Sequence, residues 1–272
     1  MIKPHNLELI STDHPFKKYC RNFIEANFSK FSQRRIAKIL TIGKTTVNKW
    51  SREMGYVFKK HSVDANYFNQ WSSKMAYILG YIFADGNIAW DENKGYYSLT
   101  ITASEKDKDH LEEIRNILQS TKPLLYSEST KSFRLIVNHK QLCRRLMNLG
   151  VVPKKSLIIK FPLNIPQQNL KDFIRGYVDG DGSLRYNNRK RSPYFEIKIC
   201  SGSKDFIITL EEKIYSRQNI RSRITVQGEN CYILRYSCAR GLKLAKWLYQ
   251  DAELYLVRKF NKYQEALSPR KD

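Results

Sequence analysis

The spacing of apolar residues changes several times along the chain, and each change marks an element. Residues 32–54 read "SQRRIAKILTIGKTTVNKWSREM". Ile36, Ala37, Ile39 and Leu40 fit one helix, "TIG" breaks it, and Val47, Trp50 and Met54 stripe a second at helical spacing. The pattern predicts a helix-turn-helix. Ala37 is small enough for close packing, Ile42 plugs the turn, and Val47 with Trp50 holds the second helix on the core. Lys44, Thr45, Thr46, Asn48 and Lys49 are left pointing outward. Thr41 stands where such turns usually have glycine, and Gly43 follows two residues later.

Beyond a polar joint, "KKHSVDANYFNQ", the chain repeats itself. "ILGYIFADGNI" (78–88) is answered by "IRGYVDGDGSL" (174–184), "YYSLTITASEKDKDHLEEI" by "YFEIKICSGSKDFIITLEEKI", and "SFRLIVNHKQL" by "CYILRYSCARG". A long unit that occurs twice indicates two pseudo-symmetric halves rather than a solenoid. In the second half, a helix from about Gln168 to Gly180 precedes alternating strands "GSLRYNN" and "YFEIKICS" around a basic turn. A helix "KDFIITLEEKIYSRQ", strands "SRITVQG" and "CYILRYS", and a helix "RGLKLAKWLYQ" complete it. Each half is thus an α+β unit of order αββαββα with a four-stranded antiparallel sheet. The expected organisation is a helix-turn-helix domain over 1–61, a first half over 62–152, a linker over 153–167 marked by Pro153, Pro162 and Pro166, and a second half over 168–272.

Charge changes the picture. The 272 residues carry 48 Lys and Arg against 26 Asp and Glu, a net charge of +22. An excess of that size points to a polyanion, most often nucleic acid, because each neutralised phosphate releases counterions. The first 61 residues alone hold 13 basic and 4 acidic side chains, so the outward residues of the second short helix are expected to enter the major groove of DNA. No apolar run is long enough to span a bilayer, and "MIKPHNLELIS" has no signal-peptide core, which leads us to expect a cytoplasmic or nucleoid-associated protein, or one of an organellar matrix. Five scattered cysteines without a Cys-x-x-Cys pair read as reduced core thiols.

The two signature helices end in acids, where the backbone dipole is already negative. Gly80 and Ala84 lie four apart, as do Gly176 and Gly180, so each helix has a face with almost no side chain, on which the other can approach. If they pack together, Asp85 and Asp181 meet. Two carboxylates at two negative helix ends are unfavourable unless a cation sits between them. Oxygen donors favour a hard divalent metal, Mg²⁺, with Mn²⁺ expected to substitute.

"ILGYIFADG" and "IRGYVDGDG" resemble the two signature helices of single-chain LAGLIDADG homing endonucleases, over about Trp71 to Ala266. The resemblance implies two sheets forming a DNA-binding saddle. It also implies double-strand cleavage of a long asymmetric site across the minor groove, leaving 3′ overhangs, by a monomer. By position, Asp85 and Asp181 become metal ligands, helped by the carbonyls of Ala84 and Gly180. The family often has a lysine near the end of each half, which assigns Lys155 and Lys259 as electrostatic stabilisers or water-organising groups. Phe83 departs from the pattern: an acid is common there, and Asp179 is left without a counterpart. The chain begins at Met1 and shows no terminal His-Asn with a nucleophile, so it is not expected to be an intein. Arg185, Arg189, Lys190 and Arg191, at or near a hairpin tip, suit phosphates and guanine edges, and Tyr97, Thr100 or Thr102 are candidates on the first sheet. Two other readings stay open: a non-catalytic transcription regulator on the same fold, and an intron maturase.

Overall fold

The computed structural model describes residues 14–58, 61–93, 95–187 and 194–268. Arg189, Lys190 and Arg191 lie outside the described residues. The chain forms two compact units, 1–61 and 62–272.

In the first unit, α1 (Pro15–Asn27), α2 (Gln33–Leu40) and α3 (Lys44–Glu53) close around Cys20, Ile24, Ile36, Ala37, Leu40, Ile42, Val47 and Trp50. Ser32 begins α2 by accepting a hydrogen bond from the Arg35 amide, which satisfies an otherwise orphaned donor. Thr41 ends the helix in the left-handed conformation, φ 55°, and lets Ile42 turn inward with its amide on the Ala37 carbonyl at 3.1 Å. Ile39 departs from expectation. It is 47% exposed, because α2 is two turns long and Ile36, Ala37 and Leu40 already fill its buried stripe.

The second unit is α+β. Its first half runs α4 (Ser73–Asp85), β1 (Gly86–Asp91), β2 (Tyr96–Ser104), α5 (Lys108–Ile117), β3 (Leu125–Ser127), β4 (Ser132–Val137) and α6 (Lys140–Asn148). The second half repeats this order as α7 (Leu170–Asp181), β5 (Gly182–Asn187), β6 (Tyr194–Ser201), α8 (Lys204–Gln218), β7 (Thr225–Val226), β8 (Tyr232–Ser237) and α9 (Ala239–Tyr249). The two antiparallel sheets have matching strand orders, β1-β2-β4-β3 and β5-β6-β8-β7. An additional helix, α10 (Val257–Leu267), follows; the sequence reading missed it, although Phe260, Tyr263 and Leu267 recur at helical spacing. The joint before α4 is less polar than expected, since Phe68 is fully buried in the shared core. Cys238 is exposed rather than a core thiol, at the left-handed junction between β8 and α9, while Cys20 and Cys143 are buried and Cys200 and Cys231 half-buried.

One core serves both halves, and α4 and α7 run through its middle. Nearly every residue from Met75 to Ala84 and from Phe173 to Asp179 is buried, because each helix is covered by its partner on one side and by a sheet on another. The glycines set the separation. A Cβ on Gly80 would strike the Phe173 carbonyl, and one on Gly176 would strike the Tyr77 carbonyl. The helices therefore touch backbone to backbone, twice, in reciprocal places.

Gly176→Ala is expected to push these backbones apart and cost about 1–3 kcal/mol, read as a lower urea midpoint at unchanged m-value; an unaltered midpoint would show that the contact is not tight.

Candidate active site at the paired helix ends

Each central helix passes directly into the first strand of its sheet. The Gly86 amide bonds back to the Ile82 carbonyl and the Gly182 amide to the Val178 carbonyl, and in both places a Cβ would collide with that carbonyl. Glycine is thus required for so sharp an exit, which explains the Asp-Gly pair in each copy. The exit leaves Asp85 and Asp181 as the last helical residues on adjoining helices. Oδ2 of Asp85 lies 3.2 Å from the point that a Cβ of residue 180 would occupy. A side chain at Gly180 would also strike the Ala84 methyl, so small residues are needed at this end too.

The electrostatics follow from that proximity. Burial and then the Asp181 charge push the Asp85 carboxyl up to about 6, against the pull of Lys155 and Lys259. Asp181 is more exposed as a residue, yet desolvation raises its carboxyl too; Lys155, a hydrogen bond with Tyr177 and Lys259 oppose the rise. The Tyr177 hydroxyl is shared between that carboxylate and the Cys200 carbonyl, to which it lies at 2.9 Å. The structure brings both lysines expected from sequence to these helix ends. Lys155 donates to the Ala84 carbonyl, so the ammonium takes up that oxygen, which the sequence reading had given to a metal. Lys259 is buried, and its Nζ donates to the carbonyls of Val178, Asp179 and Gly182 at 2.7, 2.7 and 2.6 Å. Desolvation lowers both amines, that of Lys259 to about 8.

Asp179, unpaired in the sequence pattern, is the polar hub of the second half. Its carboxylate accepts from the Tyr77 hydroxyl (2.7 Å), the Tyr249 hydroxyl (3.3 Å) and the Leu256 amide (2.8 Å), joining α4, α9 and the start of α10. Phe83, its counterpart, packs against the rings of Phe173 and Phe206. Arg258 reaches across to the first half and pairs with both oxygens of Asp107, at 2.7 and 2.9 Å. Burial would raise Asp107, but the Arg258 hydrogen bonds and charge outweigh it and hold the carboxyl below the ordinary value. Asp107 and Arg258 carry no local signal, because their link spans both halves.

Beyond the helix ends, the outer faces of the two sheets are defined by alternation. On β2, Leu99, Ile101 and Ala103 are buried against the helices, so Thr100 and Thr102 face outward. Tyr97 shares the inward parity and lies under Lys140 and Arg144 of α6; it does not belong to the outer face, as the sequence reading had allowed. On the second sheet, Arg185 and Glu196 are register partners facing outward, beside Lys198 and Arg235. In the first unit Lys44, Thr45 and Lys49 are exposed, whereas Thr46 and Asn48 are half-buried. Asn48 accepts from Gln33 at 2.9 Å and so braces α3 against α2.

Among the described residues no group of three or more His, Cys, Asp or Glu side chains assembles for a metal. The donor set at the helix ends is the two carboxylates, with the Gly180 carbonyl next to Asp181 in the chain as a further oxygen. That set suits a hard cation that keeps waters and takes oxygens from a phosphate, and does not suit zinc.

Two closely packed helices, each ending in an acid and each backed by a four-stranded sheet, define a two-repeat architecture with one shared site. The family model of the LAGLIDADG-like domain matches residues 72–150 and again 169–246, and the chain belongs to that family. Solved structures share the fold. One of the meganuclease I-SmaMI bound to uncleaveable DNA aligns at TM-score 0.52 and 13% identity, over 71% of this chain and 88% of that one. One of the LAGLIDADG meganuclease I-AabMI bound to uncleaved DNA aligns at 0.51 and 14%, over 70% and 88%. A third, I-SmaMI bound to uncleaved DNA in the presence of calcium ions, aligns at 0.50 and 11%, over 73% and 91%. No curated protein sequence matches the chain significantly. Among the described residues no helix is long and apolar enough to cross a membrane.

His110 supplies a pH test of the core behind the site. Its ring meets the Tyr77 hydroxyl at 3.0 Å, and burial, aided by Arg258 and Lys259, lowers it to about 4. The unfolded chain therefore binds more protons between about pH 6.5 and 4, and stability falls as pH drops through that window, by up to about 3 kcal/mol. His110→Gln should remove this component when urea midpoints at pH 7 and pH 4.5 are compared; an equal acid loss in the variant would contradict it.

Proposed function

We propose that the chain is a site-specific, metal-dependent DNA endonuclease that hydrolyses one phosphodiester in each strand of a long asymmetric duplex site, leaving 3′ overhangs, and acts as a monomer. The observation that carries this reading is the juxtaposition of Asp85 and Asp181 at the ends of helices packed backbone to backbone, between two sheets whose outer faces are open. Asp85 and Asp181 would hold Mg²⁺, with Mn²⁺ able to substitute, and the Gly180 carbonyl, adjacent to Asp181 in sequence, is the backbone oxygen we assign as a helper. When bound, the metal supplies Lewis acidity toward phosphate oxygens and favours ionisation of a nearby water. The residues of the chain hold the scissile phosphates near this point and balance their charge. Lys155, beside both acids, is the lysine we assign to the developing phosphorane charge.

Sequence is read by the outer faces. Arg185, Lys198 and Arg235 give the second sheet three cations against Glu196, whereas the first presents Thr100, Thr102 and Arg134. The two half-sites therefore differ, with guanine contacts concentrated on the second. The net charge of +22 supplies the phosphate affinity. The helix-turn-helix adds contacts beyond the cleaved core through Lys44, Thr45 and Lys49.

The test is Mg²⁺-dependent cleavage of a fragmented genomic library containing the gene's own locus with the gene removed, followed by end sequencing. A unique double-strand cut with 3′ overhangs is expected, lost in Asp85→Asn, in Asp181→Asn and in chelator. Specific binding without cutting, unchanged by either substitution, would overturn the reading in favour of a regulator.

On the recovered site, the full chain carrying Lys44→Ala and Lys49→Ala should bind more weakly, with the salt slope reduced by about two and the cut positions unchanged; displaced cuts would place the helix-turn-helix within the cleaved core.

A further inference from the structure

Lys155 and Lys259 hold corresponding places, one in the segment after α6 and the other in the segment after α9, each at the end of a central helix, but their bonding differs. An ammonium has three donors. Lys259 spends all three on the carbonyls of Val178, Asp179 and Gly182, and the residue is 4% exposed. The Val178 and Asp179 carbonyls belong to the last turn of α7 and the Gly182 carbonyl to the first residue of β5, so the ammonium ties the helix end to the strand that leaves it. Lys155 makes one hydrogen bond among the described residues, to the Ala84 carbonyl, and is only half-buried.

The difference traces to one sequence departure. Asp179 binds the Leu256 amide at the start of α10, and Arg258 ties the same helix to Asp107, so Lys259 stands on an element fixed at two points. Phe83 has no acceptor to offer, and its ring only rests at 3.4 Å from where a Cβ of Gly150 would be. Lys155 consequently sits on a single 3₁₀ turn, Lys155–Leu157, entered through Lys154 at φ 53° and followed by the exposed Leu157 and Ile158.

We infer that the two lysines do different work: Lys259 is a positioning residue that closes the end of α7 beneath Asp181, and Lys155 alone has donors left for a scissile phosphate, so the strands are cut in a fixed order. The cutting order rests on the endonuclease reading; the difference in bonding does not.

Two experiments separate them. The full chain, without DNA or metal, is labelled with succinimidyl acetate and its lysines are followed by mass spectrometry. Lys259 should react at least tenfold more slowly than Lys155, and equal rates would overturn the assignment. On a supercoiled plasmid carrying the recovered site, with each strand followed separately, a transient nick confined to one strand is expected. Lys155→Met should slow that strand at least tenfold and abolish the order. Lys259→Met should preserve the order while lowering Tm and raising the Mg²⁺ concentration for half-maximal cutting. Simultaneous cutting of both strands by the unmodified chain, or a Lys259→Met that slows one strand at unchanged Tm and metal requirement, would overturn the inference. Failure to cut any site, with the labelling difference intact, would defeat the endonuclease reading instead.

Discussion

Backbone contact between α4 and α7 is the constraint on which the rest of the second unit depends. Gly80 faces the Phe173 carbonyl and Gly176 the Tyr77 carbonyl, so neither helix can be displaced without opening both contacts. Close approach at these two points forces close approach at the C-terminal ends, where Ala84 and Gly180 meet and two acids arrive together. The electrostatic cost is visible in Asp85, whose carboxyl is held at about 6 by burial and by Asp181. Burial and like charge at a site the fold has itself closed are what a cation-binding centre requires.

The halves are braced against one another as well as paired. Arg258, after the second half, grips Asp107 in the turn before α5. At the corresponding turn of the second half, Gly202 lies so near the Ser156 carbonyl that a Cβ would collide with it. Each half thus ends in a segment that packs on the other, and the pseudo-symmetry extends to the way the helix ends are held. One brace is an ion pair between a buried Asp107 and an exposed Arg258 and the other a backbone contact, and the Asp179 network is present on one side only. These polar links cost desolvation and return specificity of geometry rather than much net stability, as buried networks do when every partner is satisfied.

The outer faces follow from the same packing. Because the helices cover one side of each sheet, Leu99, Ile101, Ile197 and Ile199 point inward, and the alternate residues form two open surfaces of unequal charge. A single chain with two unequal faces suits an asymmetric duplex, which a symmetric dimer would read less well.

The sequence by itself determined the repeat, the α+β order of each half, the glycine faces and the two acids, because these are local patterns: helical spacing, strand alternation, a Gly-x-x-x-small stripe ending in Asp-Gly. It brought Lys155 and Lys259 into view only through resemblance, and it did not reveal α10, whose start is fixed by Asp179 from a distant helix. Only the tertiary structure decided that Tyr97 faces inward, that Asn48 braces a neighbouring helix, that Asp107 and Arg258 belong together, and that one lysine is fully bonded while the other is not. Each depends on partners far apart in the chain, and neither periodicity nor composition carries information about a bond whose other end lies in another element.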